Sequence, residues 1–314
     1  MKRLSVALAV MVIGAQLAGS LPRQASAAFP GTNGRMVFDD TWSHNIYTVQ
    51  PDGTGVKRLT TDGSSVTPRW SPNGKLIAFS RKGELWVMQA DGSHQHRVGT
   101  VTRAYQPAWS ADGTTLAYVH VPKGVPGDIW TVRVADGTPK RITHDATTSC
   151  GDAHPVFSPR GGVIAYDQQP GTPVTGGGCG LAADKAVYTQ NLSTGSRHLI
   201  SNAWNPDYLA DGRGLVFTGD REPDGSNFPY NLYASNLAGG FAQRVRLSDA
   251  LCVEGEPCFN EGAAAPSSTL ASPQAVWVET LETGDYCLES NVSGAGFCRP
   301  SSSTFLPENL DWRP

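Results

Sequence analysis

The sequence predicts an all-β fold: a six-bladed β-propeller closed by pairing of the C-terminal strand with the N-terminal blade. A phrase containing a proline, an aromatic residue, a glycine turn and an apolar run recurs along the chain, most completely at residues 68–79. Strand-length apolar runs follow each copy and are joined by Asp-Gly and Asn-Gly turns, which suit tight hairpins. The chain ends on half a copy, residues 310–314, whose missing half lies at residues 33–38.

Each copy has the strand content of one propeller blade. Four short antiparallel strands with a period of about 40 to 60 residues are typical of propeller repeats. Five copies are well formed and a sixth, around residues 272–288, is degenerate. We therefore expect the large aromatic residues of the repeat to fill the blade cores rather than to stack on a ligand; they are Trp70, Trp86, Trp109, Trp130 and Trp312.

The N-terminus has the layout of a secretory signal peptide. Lys2 and Arg3 precede an apolar run, and Ala25, Ser26 and Ala27 provide a small-residue cleavage site. The run is too short for a strong transmembrane span, which needs about 20 residues. We expect a signal peptide over residues 1–27, a propeller over residues 28–314, and a secreted or periplasmic protein without a transmembrane segment.

The charge of the chain argues against nucleic acid as a partner. The formal net charge is −3, and Lys and Arg form no basic run. Phosphate binding needs clustered cationic side chains.

Six cysteines in an exported chain predict disulfide bonds. We favour pairing of sequence neighbours, because each pair would close a loop that resembles an insertion. Zinc is the alternative, but no Cys-x-x-Cys occurs and the histidines are scattered. The predicted pairs are Cys150–Cys179, Cys252–Cys258 and Cys287–Cys298.

The repeat resembles a known family. The phrase Pro-Arg-Trp-Ser-Pro-Asn-Gly-Lys-Leu-Ile-Ala-Phe at residues 68–79, with its counterparts at 107–113 and 155–161, resembles the WD40-like repeat of TolB-type β-propellers. The resemblance covers essentially the whole chain after the leader and implies the fold, whereas propellers of this kind serve many unrelated tasks. TolB itself carries an α/β domain before its propeller and acts in the Tol–Pal envelope system. Here Phe29, Pro30 and Gly31 lead directly into the first blade, so we expect a stand-alone propeller.

Common catalytic and cofactor motifs are missing from the sequence. It contains no Gly-x-Ser-x-Gly elbow, no phosphate-binding P-loop and no His-Glu-x-x-His zinc motif. The Asp-Gly pairs stand singly, which indicates hairpin turns rather than calcium loops. We therefore predict no cofactor and no metal site.

A ring of polar and aromatic residues is predicted at one mouth of the central channel. His154 directly precedes the Pro155 strand, and Thr67, Gln106 and Asn205 hold equivalent positions. Propeller ligands usually bind at such a mouth, on loops held by a rigid scaffold; solvated loop ends with satisfied hydrogen bonds are the alternative interpretation. The predicted ligand-binding residues are Tyr105, Gln106, Asp152, His154, Trp204, Asn205 and Glu308.

Three functions fit these observations. We favour a non-enzymatic, monomeric module that binds an envelope or extracellular protein, peptide or glycan. The alternative is a polysaccharide lyase or hydrolase in which His154, Asp152 and Glu308 act as acid–base or metal-binding groups. A purely structural envelope protein is the third.

Overall fold

The computed structural model describes residues 34–144, 150–170, 185–201, 203–221 and 227–238, together with short strands within 245–312. The regular elements of this part of the chain are 24 β-strands. The predicted signal peptide lies outside the described residues. None of the residues that are described forms a helix long and apolar enough to cross a membrane.

The strands form six antiparallel sheets of four strands. The first sheet has the order β24-β1-β2-β3 and combines both ends of the chain: β1 (Met36–Asp40), β2 (Ile46–Val49), β3 (Lys57–Arg58) and β24 (Pro307–Trp312). The second contains β4 (Ser65–Trp70), β5 (Leu76–Arg81), β6 (Glu84–Gln89) and β7 (His96–Arg97). The third contains β8 (Ala104–Trp109), β9 (Thr115–His120), β10 (Asp128–Arg133) and β11 (Pro139–Arg141).

The remaining three sheets follow in chain order. The fourth contains β12 (Cys150–Phe157), β13 (Val163–Pro170), β14 (Ala186–Asn191) and β15 (Arg197–Ser201). The fifth contains β16 (Trp204–Tyr208), β17 (Gly214–Arg221), β18 (Asn227–Asn236) and β19 (Val245–Arg246). The sixth contains β20 (Gly262–Ala264), β21 (Ala275–Thr280), β22 (Tyr286–Ser290) and β23 (Phe297–Arg299).

One edge strand of each sheet contacts the corresponding edge strands of the two neighbouring sheets. We call these six strands the inner strands. They are β24, β4, β8, β12, β16 and β20, and each contacts the next in this order, with β20 contacting β24. Strand β24 pairs with β1 in a register that places Trp312 opposite Met36 and Glu308 opposite Asp39. The predicted all-β propeller class is confirmed.

Apolar side chains fill the space between adjacent sheets. Trp70 and Trp109 are each 2% exposed and belong to these cores, as predicted. Trp86 and Trp130 also pack against these cores, as predicted, but they are only half-buried. They lie on β6 and β10, beside the short, exposed outer strands β7 and β11, which cannot cover a whole indole. The Trp312 side chain lies outside the described residues.

The Asp-Gly pairs form tight turns. In six of them the aspartate carboxylate accepts the backbone N–H two residues later, at 2.9 to 3.0 Å, and five of the six join paired strands. This bond fixes the turn locally and occupies the carboxylate. The hairpin interpretation is therefore confirmed for Asp52, Asp91, Asp112, Asp136 and Asp211.

The cysteine pairing stays a prediction. Cys150 is buried and disulfide-bonded. The side chains of the other five cysteines lie outside the described residues. The backbone register of β22 and β23 nevertheless places Cys287 directly opposite Cys298. Directly opposed residues of an antiparallel pair have Cα atoms about 4.5 to 5.5 Å apart, within the span of a disulfide.

Candidate functional site

Four inner strands contain a residue with left-handed backbone conformation at the same place. The φ angles are 53° for Thr67, 51° for Gln106, 47° for His154 and 51° for Asn205. Such values are uncommon outside glycine and are strained for a β-branched residue such as threonine. Each of these four residues precedes a proline.

The four residues occupy equivalent β-bulges. The register between the inner and second strands shifts at each of them, between Val66 and Arg69 in the second sheet and between Ala153 and Val156 in the fourth. The same shift occurs in β8, β16 and β24. A bulge redirects the local side chains and interrupts the ladder, and bulges are frequent beside binding sites.

The bulges lie at the edge of the propeller where the inner strands begin, and we call this the mouth edge. Backbone hydrogen bonds connect this edge to a turn of the preceding sheet: Ser65 donates its N–H to the His44 carbonyl, Ala104 to that of Gly83 at 3.0 Å, and Asp152 to that of Gly127. The turn that joins the second and third strands of a sheet therefore lies at the mouth edge beside the next inner strand.

Side chains from neighbouring strands hold the strained residues in place. The backbone N–H of Thr67 donates to Asp39 Oδ1, that of His154 to Gln106 Oε1, and that of Asn205 to Asp167 Oδ2, each at 3.0 Å. All three bonds cross from one sheet to the next. They satisfy backbone donors that the bulges remove from the ladder, and an unsatisfied buried donor would cost about 1–3 kcal/mol.

His154 and Asp167 form a hydrogen-bonded pair at the centre of this network. His154 Nδ1 lies 3.0 Å from Asp167 Oδ1 and 3.2 Å from Oδ2. The Asp167 side chain is completely buried and the His154 side chain is 20% exposed. Through Gln106, His154, Asp167 and Asn205 the network spans the third, fourth and fifth sheets, and it unites three of the seven predicted site residues.

The structure places Asp152 differently from the prediction. Its side chain is buried, and its Oδ1 accepts a hydrogen bond from Gln168 Nε2 at 3.2 Å. Because the Asp152 side chain is buried, it is not accessible to a ligand at the mouth edge.

The aromatic members of the predicted site lie one step before the bulges. Tyr105 is 39% exposed, and its hydroxyl would lie 3.1 Å from a Cβ built on Gly83, so its ring covers the turn of the preceding sheet. Trp204 is half-buried, and the Lys185 ammonium lies 3.7 Å from the centre of its ring, which is a cation–π contact. Glu308 takes the equivalent position in β24 by register, opposite Asp39, and its side chain lies outside the described residues.

Comparison with known proteins agrees with this architecture. A family model described as the TolB beta propeller domain matches residues 23–175. Over these residues, just under half of the chain, the sequence is similar to the propeller domain of TolB. No curated protein matches the sequence.

Solved structures extend the similarity in fold to most of the chain. TolB from Acinetobacter baumannii shares 15% identity, with a TM-score of 0.67 over 91% of this chain and 68% of that one. The putative TolB from Agrobacterium tumefaciens shares 15% identity, with a TM-score of 0.59 over 90% of this chain and 99% of that one. A chain of a nidogen/laminin complex shares 9% identity, with a TM-score of 0.60 over 89% and 98% of the two chains. At these identities the likeness shows a shared fold.

Two acidic residues that hold the mouth edge were not predicted from the sequence. Asp39 and Asp167 are buried and lie in corresponding places on the second strands of their sheets, opposite Glu308 and Ala153. The available signal was an acidic residue directly after the apolar runs that end at Phe38 and Tyr166. A charged residue that continues a buried strand requires a partner, and here the partners are the strained amides.

One exposed aromatic residue at the mouth edge was also missed. Trp42 is 76% exposed and lies in the turn between β1 and β2. The neighbouring His44 carbonyl accepts the Ser65 N–H, which places this turn beside the start of β4. Sequence reasoning passed over Trp42 because it lies outside the repeated phrase.

The described part of this propeller contains no group of three or more His, Cys, Asp or Glu side chains arranged to hold a metal ion. The chemistry that the described mouth offers is an aromatic surface, a His–carboxylate pair and amide groups. This combination suits recognition of a polar chain with apolar side groups.

Proposed function

We propose that this TolB-type propeller is a non-enzymatic binding module that acts outside the cytoplasm and holds a protein or peptide at its mouth edge. The observation that carries the proposal is the contrast between held and exposed groups at this edge. Asp39, Gln106 and Asp167 are engaged in fixing the inner strands, whereas Trp42 and Tyr105 are exposed. A rigid frame that presents aromatic side chains loses little entropy when it binds a partner.

The rigidity follows from a closed ring, which forms part of the proposal. In this ring six blades surround one axis, and the β24–β1 pairing completes the blade shared by the two chain ends. The sequence of inner-strand contacts from β24 through β4 to β20 and back to β24 supports it. Ring closure removes exposed sheet edges and couples each blade to both of its neighbours.

A protein or peptide is favoured over nucleic acid or a highly charged ligand. The chain has a net charge of −3 and no basic run. Aromatic residues are enriched in the energetically dominant centres of protein interfaces. The signal-like layout of residues 1–27 supports export, so the partner is sought in the envelope or the secreted fraction.

The proposal is tested by affinity capture from host envelope extracts with the wild-type chain and two variants. The first variant is Trp42→Ala/Tyr105→Ala, which removes the exposed aromatic surface. The matched control is Leu199→Ala, which truncates a 47% exposed residue on the outer strand β15. Any captured protein is then purified and its affinity for each chain is measured. It supports the proposal only if it binds the wild-type and control chains at least about tenfold more tightly than the double variant. Equal affinity for all three would refute the mouth edge as the binding face.

The His154–Asp167 pair favours one alternative, an acid–base catalyst acting on polysaccharide. A partly exposed histidine oriented by a buried carboxylate is a common general acid–base arrangement. A polysaccharide panel assayed with the wild-type chain and His154→Gln decides the matter. Turnover that His154→Gln abolishes in a folded protein would establish the enzyme, and absence of turnover across the panel would dismiss it.

A further inference from the structure

A cleft opens between the third and fourth sheets at the edge opposite the mouth. Its volume is about 570 Å³, which lies in the range of small-molecule sites. The loops after β8 and β12, residues 110–114 and 158–162, form part of its rim, and these loops follow the ends of inner strands whose beginnings lie at the mouth edge. The apolar lining consists of Ala111, Ile142, Phe157, Pro159 and Leu192.

Two cationic side chains stand at the rim of this cleft. Lys140 and Arg160 both line it and are exposed. None of the ion pairs within the described residues involves either side chain. The Lys140 ammonium and the terminal nitrogens of Arg160 are thus available to an anion.

Arg160 is held in position rather than free in solvent. Its Nε donates to the Asp211 carbonyl at 2.8 Å. Its aliphatic stem passes over Gly212, where an added Cβ would lie 2.9 Å from Arg160 Cγ. A positioned guanidinium loses less entropy when it binds a carboxylate or phosphate.

Asp112 provides the one carboxylate among the described lining residues. Its Oδ1 accepts hydrogen bonds from the Ser110 hydroxyl at 2.6 Å and from the Thr114 N–H and hydroxyl at 3.0 and 2.8 Å, which holds this side chain in its own turn. Two cationic side chains and one carboxylate leave the cleft with a net positive charge above an apolar floor.

We propose that the cleft binds a small organic anion with an apolar body, at a site separate from the mouth. The apolar lining accepts the body, and Lys140 and Arg160 pair with the anionic group at the rim. This site goes beyond the proposed function, because none of its residues belongs to the mouth edge and it needs no protein partner.

The test compares 4-phenylbutyrate with its neutral counterpart 4-phenylbutan-1-ol in titration calorimetry on the full chain. We expect saturable binding of the anion, with an affinity roughly tenfold above that of the alcohol, since two partly exposed charge pairs contribute about that much. In Lys140→Gln/Arg160→Gln this preference should fall to near unity. The matched control is Lys123→Gln, an exposed lysine in the turn between β9 and β10 at the mouth edge, which should keep the full preference.

Two results would overturn the site: no saturable binding of the anion to the wild-type chain, or an unchanged preference in the double variant. If the loss of the Arg160–Asp211 bond lowers the stability of the double variant, Lys140→Gln alone provides the same readout. In this single variant the preference for the anion over the alcohol should fall from about tenfold to roughly threefold. An unchanged preference in this folded single variant would also contradict the proposal.

Discussion

Asp311 Oδ2 accepts a hydrogen bond from the backbone N–H of Trp70 at 2.5 Å, and this bond joins residues 241 positions apart. Asp311 lies in β24 and Trp70 ends β4, so the bond connects the C-terminal strand to the next inner strand. Asp39, from the N-terminal strand β1, holds Thr67 in the same inner strand. Carboxylates from the two ends of the chain thus anchor one strand of the second sheet.

The Asp311 bond should be measurable as stability. Asp311→Ala leaves the N–H of the buried Trp70 without this acceptor, so we expect a loss of about 1–3 kcal/mol in the free energy of unfolding. Asp311→Asn keeps an acceptor oxygen and should lose distinctly less. Urea unfolding of the three proteins provides the measurement. Equal stability of the alanine and asparagine variants would show that the bond contributes little.

Deletion of residues 310–314 should destabilise the first blade. The deletion removes Asp311 and the part of β24 that pairs with Met36 and Val37. Loss of this strand pairing and of one interblade bond should lower the melting temperature by about 10 °C. Melting is followed by circular dichroism, with the full chain as reference. A truncated chain that melts within about one or two degrees of the full protein would contradict ring closure.

Asp112 should make stability depend on pH in the acid range. The hydrogen bond from the Ser110 hydroxyl, followed by that from the Thr114 backbone, lowers the pKa of Asp112 from its ordinary value of 3.8. A lowered folded-state pKa stabilises the protein fully above the unfolded value and loses this contribution as the pH falls through the folded value. Asp112→Asn should therefore be less stable at pH 7, by less than about 1 kcal/mol, and the difference should shrink below pH 3.8.

The matched control for the Asp112 experiment is Asp211→Asn, which changes another Asp-Gly turn of the same edge. Urea unfolding at several pH values and constant ionic strength gives both differences. An Asp112→Asn deficit that persists unchanged at pH 2 would show that the turn acts through geometry rather than through charge.

Much of the fold could be predicted because the residues that define each repeat lie close together in the sequence. Proline, aromatic residue and glycine turn recur at fixed offsets, and the strands Leu76–Arg81 and Thr115–His120 lie where their apolar runs indicate. The partial exposure of Trp86 and Trp130 could not be predicted, because the burial of a third-strand side chain depends on the length of the outer strand beside it, and β7 and β11 are only two and three residues long.

The equivalence of four positions on the inner strands was predicted from the sequence, whereas the side chains that hold them were not. The sequence aligned Thr67, Gln106, His154 and Asn205, and the structure gives all four the same left-handed conformation. Their partners could not be predicted, because Asp39 and Asp167 come from different strands and reach them only after the sheets assemble. The cleft between the third and fourth sheets could not be predicted for the same reason, since its lining joins residues 110–112 to Arg160 across two blades.

The central claim is that side-chain acceptors lock the strained mouth residues in place, and amide hydrogen exchange tests it most directly. We expect protected amides at Thr67 and Asn205 in the wild-type chain. Asp167→Ala should accelerate exchange at Asn205 by roughly tenfold and leave Thr67 protected, whereas Asp39→Ala should do the reverse. Rapid exchange at both sites in the wild-type chain, or equal acceleration at both sites in either variant, would contradict the account.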